Sequence, residues 1–310
     1  MQTIVVDPSR TVLKIVGQLL ESAGHRVFPY TDGNDALDCL RTNSEIEALI
    51  TSVELPTISG IELCRMARSL ASVHRPLYIV VMSSNQEQRK LLSALEGGAD
   101  DFIGKPPATE ELFARMRAAE RFGAMQRDLV RLATTDPLTG MLNRRAFFEK
   151  AESMCTHATA SSRLSAIMFD LDHFKHVNDA FGHGTGDKVI RMVADEAMRT
   201  GELAGRLGGE EYALLLQGKT LPDALKIAEQ LRSAIAAMQI DVDGRAVKFN
   251  CSFGVDEWEF GDTIDDLLRR ADTALYDAKA GGRNRVVAYD PAKSNRGVFR
   301  GTGVVRTGER

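Results

Sequence analysis

Leu203-Ala204-Gly205-Arg206-Leu207-Gly208-Gly209-Glu210-Glu211-Tyr212-Ala213-Leu214-Leu215-Leu216 is the stretch on which the reading of this chain turns. Two apolar runs flank a Gly-Gly pair, which is the pattern of two strands joined by a tight hairpin, since glycine accepts positive φ without steric cost. Glycine also lets a backbone approach a bulky anion closely, and the carboxylates of Glu210 and Glu211 follow at once. Hard oxygen ligands beside bare backbone suit a divalent metal and the phosphates of a nucleotide. Alone, the same string also describes an ordinary hairpin with a solvated acidic shoulder. The neighbouring segments decide between the two.

Upstream, Leu164 to Phe169 is an apolar strand that ends in Asp170-Leu171-Asp172. Strand residues alternate faces, so Asp170 and Asp172 point to one side while Leu171 enters the core. Carboxylates at a strand end near a second acidic turn suit a Mg²⁺ site; either motif alone reads as well as a solvated strand end, a reading that weakens when both occur in one domain. Phe174-Lys175-His176-Val177-Asn178-Asp179 comes next, then Phe181-Gly182-His183-Gly184-Thr185-Gly186-Asp187. Lys175 supplies a mobile cation for phosphate charge. Asn178 and Asp187 have the chemistry to read guanine, because a carboxylate accepts from its ring N–H and amino group and an amide complements them. In isolation each is as well explained as a cap or turn residue.

Toward the amino terminus, short apolar strands alternate with amphipathic helices. Strands are expected at Thr3 to Val6, Arg26 to Tyr30, Ala48 to Thr51, Leu77 to Met82 and Asp101 to Ile103. Helices are expected at Thr11 to Ala23, Gly33 to Arg41, Gly60 to Ser69, Gln86 to Glu96 and Thr109 to Ala119. That alternation argues for a parallel sheet covered by helices on both faces. From about Leu112 the helical pattern runs on, with Phe122, Met125, Leu129 and Leu132 at spacings of three, four and three, weakly interrupted by Gly123. This short seam reads equally as a dimerising linker helix or as a helix packed on its own domain. Pro137 then breaks the helix, and a second α/β unit runs to about Tyr289. Pro291 to Arg310, rich in Gly, Arg and Ser without periodicity, reads as a disordered tail.

The 310 residues are enough for two domains, and 44% hydrophobic with 26% charged residues fits globular cores. A net charge of -4 offers no basic field, which argues against nucleic acid as a partner. Cys39, Cys64, Cys155 and Cys251 lie far apart without metal-ligand spacing and read as reduced structural thiols. No apolar run reaches membrane-spanning length and no export signal opens the chain, so a cytoplasmic location with no membrane contact is expected.

Six segments then fall into one order: Asp136-Pro137-Leu138-Thr139-Gly140-Met141-Leu142-Asn143-Arg144-Arg145; Asp170-Leu171-Asp172-His173-Phe174-Lys175; Asn178-Asp179; Phe181-Gly182-His183 with Gly186-Asp187; Gly208 to Tyr212; and Lys279-Ala280-Gly281-Gly282-Arg283-Asn284-Arg285. Together they closely resemble the GGDEF family of diguanylate cyclases across residues 134–290. The resemblance implies a palm-like α/β domain with a mostly antiparallel central sheet. It further implies Mg²⁺-dependent condensation (Mn²⁺ able to serve) of two GTP into cyclic di-GMP and two pyrophosphates, in a homodimer whose halves each hold one GTP. Carried over residue by residue, Asp170, the backbone carbonyl of Leu171 and Glu210 would bind metal, with Glu210 also the candidate base. Lys175 would stabilise transition-state charge. Asn178, His183, Asp187, Gly208 and Gly209 would contact GTP, and Lys279 and Arg283 would hold its terminal phosphates. Tyr212 replaces the usual Phe and keeps the ring. The family's product-binding Arg-x-x-Asp becomes Arg199-Thr200-Gly201-Glu202, whose longer carboxylate side chain implies weakened product inhibition; the plainer reading is an exposed Arg199–Glu202 pair in a turn.

Residues 1–118 resemble a response-regulator receiver, a flavodoxin-like fold with a five-stranded parallel sheet, followed by a linker helix over 119–133. The carriers are Val5-Val6-Asp7, Leu55-Pro56 with Ser59-Gly60, Met82-Ser83-Ser84, and Gly97 to Ile103 with Gly104-Lys105-Pro106. Receivers end their third strand with a phosphoryl-accepting aspartate; counting back four residues from Pro56 places Ser52 there. The acidic pair after the first strand is reduced to Asp7, followed by Pro8, while Ser83 and Lys105 remain. A serine alkoxide is inaccessible near neutral pH without an adjacent base. The expectation is a pseudo-receiver that dimerises or binds a protein partner. The alternative to an active cyclase is a silent GGDEF domain acting as a sensor of GTP or cyclic di-GMP or as an interaction protein.

Overall fold

The computed structural model describes residues 1–84, 88–159 and 161–294, and the chain divides into two compact units, Met1–Arg131 and Leu132–Arg310. In the first unit, strands and helices alternate as β1 (Gln2–Val6), α1 (Arg10–Ser22), β2 (Arg26–Tyr30), α2 (Gly33–Thr42), β3 (Ile46–Ser52), α3 (Gly60–Leu70), β4 (Tyr78–Ser83), α4 (Gln88–Glu96), β5 (Asp101–Gly104) and α5 (Thr109–Thr134). All five strands are parallel, in the order β2-β1-β3-β4-β5. Alternate residues feed two separate cores, Ile4, Val6, Leu49 and Val81 on one face and Val5, Ile50, Val80 and Met82 on the other. Both faces are therefore covered, which is what the near-continuous apolar strands require. Ser9, Asp32 and Ser59 cap α1, α2 and α3, each accepting a backbone N–H from the first turn. The flavodoxin-like expectation holds.

Helix α5 is unbroken over 26 residues. Its buried positions Leu112, Met116, Ala119 and Gly123 step along one face at spacings of four, three and four. Phe122 stacks obliquely against Tyr78 at 5.7 Å. The rest of the seam faces outward: Met125, Leu129 and Leu132 are 65%, 54% and 66% exposed.

The second unit contains β6 (Leu142–Asn143), α6 (Arg144–Thr156), β7 (Leu164–Leu171), α7 (Phe174–Phe181), α8 (His183–Met198), β8 (Leu203–Arg206), β9 (Glu211–Gln217), α9 (Leu221–Ala237), β10 (Gln239–Val242), β11 (Arg245–Lys248), β12 (Cys251–Glu257), α10 (Ile264–Ala280), β13 (Val286–Ala288) and α11 (Pro291–Ser294). Six strands form one sheet in the order β13-β12-β7-β9-β8-β6, and β10 and β11 make a separate hairpin. The inner pairs β12–β7, β7–β9 and β9–β8 are antiparallel, with parallel strands only at the edges. At its centre Tyr212, Phe169 and Phe253 sit in register on β9, β7 and β12, stacked with both ring spacings at 5.0 Å and fully buried. Cross-strand aromatic pairs of this kind fix register, and here they fix it immediately beside Asp170 and Glu211.

The expectation of a structureless tail from Pro291 is corrected at its start, where Pro291–Ser294 form a helical turn; from residue 295 onward that expectation lies outside the described residues. The four cysteines are all unpaired. Among the described residues no helix is long and apolar enough to cross a membrane.

Candidate active site

The strand end and the acidic turn meet. Asp170 lies opposite Glu211 across the β7–β9 ladder, and the Leu171 N–H donates to the Glu210 carbonyl at 3.3 Å. Lys279, on the last turn of α10, reaches across to place its Nζ 2.9 Å from Asp170 Oδ1. Asp170 is buried. Burial pushes its carboxyl up to about 6; Lys279 opposes that rise, while Glu210 and Glu211 add to it. Burial likewise raises Glu210, against Lys279 and with Glu211, and burial followed by Glu211 raises Asp272. The site thus concentrates negative charge around one ammonium.

That environment fits a divalent cation. A buried carboxylate already has a cation against it, and the donors are hard oxygens. Among the described residues no three acidic, His or Cys side chains form a metal group by themselves. Asp170 and Glu210 would supply two carboxylates, and the Leu171 carbonyl and phosphate oxygens the remainder, which is how Mg²⁺ is usually held beside a nucleotide.

Asp172 does something else. Its Oδ1 accepts from Ser252 Oγ at 2.7 Å and its Oδ2 from the Asn284 N–H at 2.9 Å. The side that carries Asp170 therefore also carries a tether for the Arg283–Asn284 corner, where both residues take positive φ. Arg232 braces the same corner through Asn284 Oδ1 at 2.8 Å. Arg283 is held at an exposed, shaped turn beyond α10.

The two turn glycines act otherwise than expected. Neither Gly208 nor Gly209 takes positive φ. A Cβ on Gly208 would meet Glu211 Oε2 at 2.7 Å, whereas one on Gly209 would meet nothing within 4 Å. The first glycine abuts only the end of a flexible, exposed side chain, and the second leaves open backbone. Gly186 is also positional: a Cβ there would lie 2.0 Å from Asn178 Oδ1. The bare residue lets α7 and α8 close up, bringing Asn178 against the backbone next to Asp187. Lys175 on α7 and His183 at the start of α8 are exposed.

Arg206 and Asp136 were not singled out by their chemistry in the sequence. Arg206 donates from Nη1 to Asp136 Oδ1 at 2.9 Å, from Nε to the Gly208 and Gly209 carbonyls at 3.1 Å each, and from Nη2 to the Gly209 carbonyl at 2.6 Å. An arginine two residues before a Gly-Gly turn was the available signal.

Arg199 and Glu202 lie at the other end of β8. Arg199 pairs with Glu196 at 2.9 Å, so the Arg199–Glu202 turn pair is corrected: the helix spacing of three favours Glu196. Arg199, Thr200, Ile227, Gln230 and Leu231 line a cleft of about 380 Å³ between α8 and α9.

In the first unit, Ser52 is buried at the end of β3. Its Oγ donates to the Glu54 carbonyl at 2.9 Å and receives Lys105 Nζ at 2.5 Å. Lys105 Nζ also stands 2.7 Å from Asp7 Oδ2. Ser83 joins through its backbone, its carbonyl accepting the Lys105 N–H at 3.0 Å, while its hydroxyl donates to the Ser84 carbonyl. One ammonium balances one carboxylate.

Residues 133–285 match the model of the diguanylate cyclase GGDEF domain, and residues 3–117 that of the response regulator receiver domain. The chain is 32% identical over 298 residues to the response regulator PleD of Caulobacter vibrioides, covering 92% of this chain and 64% of PleD. It is 39% identical over 168 residues to the diguanylate cyclase DgcM of Escherichia coli K12, covering 53% of this chain and 40% of DgcM. The chain thus spans less than two thirds of the length of these relatives. Among solved structures, the coiled coil and GGDEF domain of DgcB from Caulobacter crescentus, in complex with c-di-GMP, superposes with a TM-score of 0.53 at 32% identity, covering 57% of this chain and 96% of that one. The fold and the site define a receiver-type unit followed by a palm-type unit. The chain belongs to the GGDEF family and carries a response regulator receiver domain ahead of the GGDEF domain.

The buried carboxylate also bears on stability. Asp170 titrates higher in the folded chain than an ordinary carboxylate, so its ionised form opposes folding above about pH 6 and that penalty vanishes as the pH falls below the unfolded value near 4. Asp170→Asn should therefore stabilise the metal-free protein at pH 8, by at most roughly 3 kcal/mol, with a corresponding rise in thermal midpoint, and the gain should shrink toward pH 4. Calorimetry at both pH values, in chelator, checks it.

Proposed function

We propose that the GGDEF unit condenses two GTP into cyclic di-GMP and two pyrophosphates, with Mg²⁺ as cofactor and two copies of the chain each holding one GTP. The observation that carries this reading is the meeting of Asp170, Glu210 and Lys279 beside the open backbone of Gly209. Each 3′-hydroxyl oxygen bonds to the α-phosphorus of the other nucleotide, the bond from that phosphorus to the pyrophosphate oxygen breaks, and the hydroxyl proton passes to Glu210. Its raised affinity for protons suits it to that task. Asp170, Glu210 and the Leu171 carbonyl would hold the metal, which when bound neutralises phosphate charge. Lys175 would face the charge that develops in the transition state, and Lys279 and Arg283 the terminal phosphates. Asn178 and Asp187 would read guanine, with His183 alongside.

Two copies must meet for the halves to join, and the outward Met125, Leu129 and Leu132 give α5 an apolar face for that purpose. Product would bind at Arg199 and Glu202, beside the α8–α9 cleft. Incubating the purified chain with GTP and Mg²⁺, then chromatographing the nucleotides, should yield cyclic di-GMP. GTP that binds but is never converted at high protein concentration would point instead to a silent sensor.

The receiver unit is proposed to work without aspartyl phosphorylation, through dimerisation or a protein partner. Ser52 offers no carboxylate, and Lys105 is occupied by Asp7 and Ser52. Acetyl phosphate with Mg²⁺ should leave the intact mass of the protein unchanged, and a stable added phosphoryl group would contradict this.

A further inference from the structure

A Gly-Gly turn is a poor platform. Glycine loses more backbone freedom on ordering than any other residue, and the hairpin supplies little to hold it. The Leu207 N–H donates to the Glu211 carbonyl at 2.8 Å, but the next rung, from the Gly208 N–H to the same carbonyl, is stretched to 3.4 Å. Glu210 is held by its carbonyl, which accepts the Leu171 N–H at 3.3 Å; the Gly208 and Gly209 carbonyls are held by the Arg206 guanidinium, at 2.6–3.1 Å. Both carbonyls are thereby engaged, while the flank of Gly209 stays open, with nothing within 4 Å of where a Cβ would sit. Arg206 is itself anchored. Its Nη1 is bonded to Asp136, both side chains being mostly buried. Asp136 accepts from the Thr139 N–H and hydroxyl at 2.9 and 2.8 Å, and its backbone is tied to Met141 and Gly140. Burial pulls the Asp136 carboxyl upward, but the bonds from Thr139 and Arg206 outweigh it and keep the group ionised.

We infer that Arg206 is a positioning residue for the nucleotide-binding turn, and that Asp136 is the anchor that sets its place. The planar fork is essential. A guanidinium reaches a carboxylate and two carbonyls at once, which a lysine ammonium on a flexible stem does not reproduce. Glu210 leaves the turn directly after the two carbonyls that Arg206 holds, so loosening the strut misplaces the carboxylate that acts on the nucleotide. The strut also ties the turn to residues 136–141, two residues past the end of α5 at Thr134. Displacement of that segment moves the turn with it.

This inference rests on GTP being the ligand of the turn. The test is kinetics and calorimetry on Arg206→Lys, Arg206→Met, Asp136→Asn and the double variant of the last two, with GTP for rates and a GTP analogue blocked at the α-phosphate for binding. All are run well below each variant's thermal midpoint, so that a merely structural role leaves the constants unmoved. Arg206→Lys and Arg206→Met should weaken binding of the analogue and raise KM by about tenfold or more, and Asp136→Asn by a smaller factor. The double variant should be no worse than Arg206→Met, because the anchor has nothing left to hold. Unchanged KM and binding in folded Arg206→Lys, or additive effects in the double variant, would overturn the inference. A wild-type chain that binds the analogue but forms no product would overturn the cyclase reading, and the calorimetric series would still decide the role of Arg206.

Discussion

Glu210→Gln should abolish cyclic di-GMP formation, by about a thousandfold or more, while leaving the fold intact. The size follows from two roles resting on one carboxylate: a metal ligand and a base toward the 3′-hydroxyl, either of which alone is worth at least about a hundredfold in such chemistry. Glutamine keeps the length and shape of the side chain but offers a neutral oxygen, a weak ligand for Mg²⁺, and an amide that takes no proton. The fold should tolerate the change, since Glu210 sits in a turn with its side chain half-exposed, outside the apolar clusters that form the core. Indeed the neighbourhood gains. Glu210 is one of the charges that push Asp170 up to about 6, and removing it relieves that repulsion. The thermal midpoint in chelator at pH 8 should be equal to or above that of the wild type. Chromatography of GTP reactions and a melting curve on the same preparation check both halves. Activity within tenfold of wild type would mean that Glu210 is neither ligand nor base.

Much of this architecture was legible because the physics that makes it is local. The β-α alternation of the first unit shows in strand runs of three to six residues, and the structure moves their ends by at most two positions. The hairpin at Gly208 and the strand ending at Asp170 were legible for the same reason. What the sequence concealed are the bonds between distant segments. Asp172 looked like a partner of Asp170 for metal because alternation puts both on one side; the structure gives its oxygens to Ser252 and to the Asn284 N–H, 80 and 112 residues away. Lys279 was assigned to phosphate from its motif, and nothing local announces that it rests on Asp170. Arg206 presented itself as one polar residue in an apolar strand, and only the arrival of Asp136, 70 residues upstream, explains it. The glycines differ from expectation too. Positive φ is the usual reason for a glycine in a turn, but neither Gly208 nor Gly209 takes it, and at Gly186 a Cβ would crowd the Asn178 and Phe174 side chains of the preceding helix.

Gly254→Ala should cost more stability than any other single methyl in the GGDEF unit. Gly254 lies in the middle of β12, paired with Met168 on β7 and Val287 on β13. A Cβ there would stand 2.1 Å from the Ala271 carbonyl oxygen and 2.2 Å from the Leu275 backbone nitrogen. Both belong to α10, so the atoms that would have to yield are helix backbone rather than the end of a flexible side chain. The strand cannot retreat either, being bonded on both sides, with Phe253 locked in the aromatic stack against Phe169. The only relief is for α10 to lift off the sheet, which unpacks Leu267, Ala271 and Leu275. Overpacking of a well-filled core costs about 1–3 kcal/mol, and more where neither wall can move; about 3 kcal/mol or above is expected here, a fall in thermal midpoint of roughly 10 °C for a unit of this size. Activity should fall as well at temperatures where the protein remains folded. Lys279 is carried by the last turn of α10 and meets Asp170 on β7, so a helix displaced from β12 separates the ammonium from the carboxylate it serves. Differential scanning calorimetry and the GTP assay on Gly254→Ala, set beside Gly209→Ala, make the comparison sharp. The second variant adds the same methyl where nothing lies within 4 Å, so its midpoint should match wild type. Equal midpoints for the two variants would refute the account of α10 as a helix seated on bare backbone.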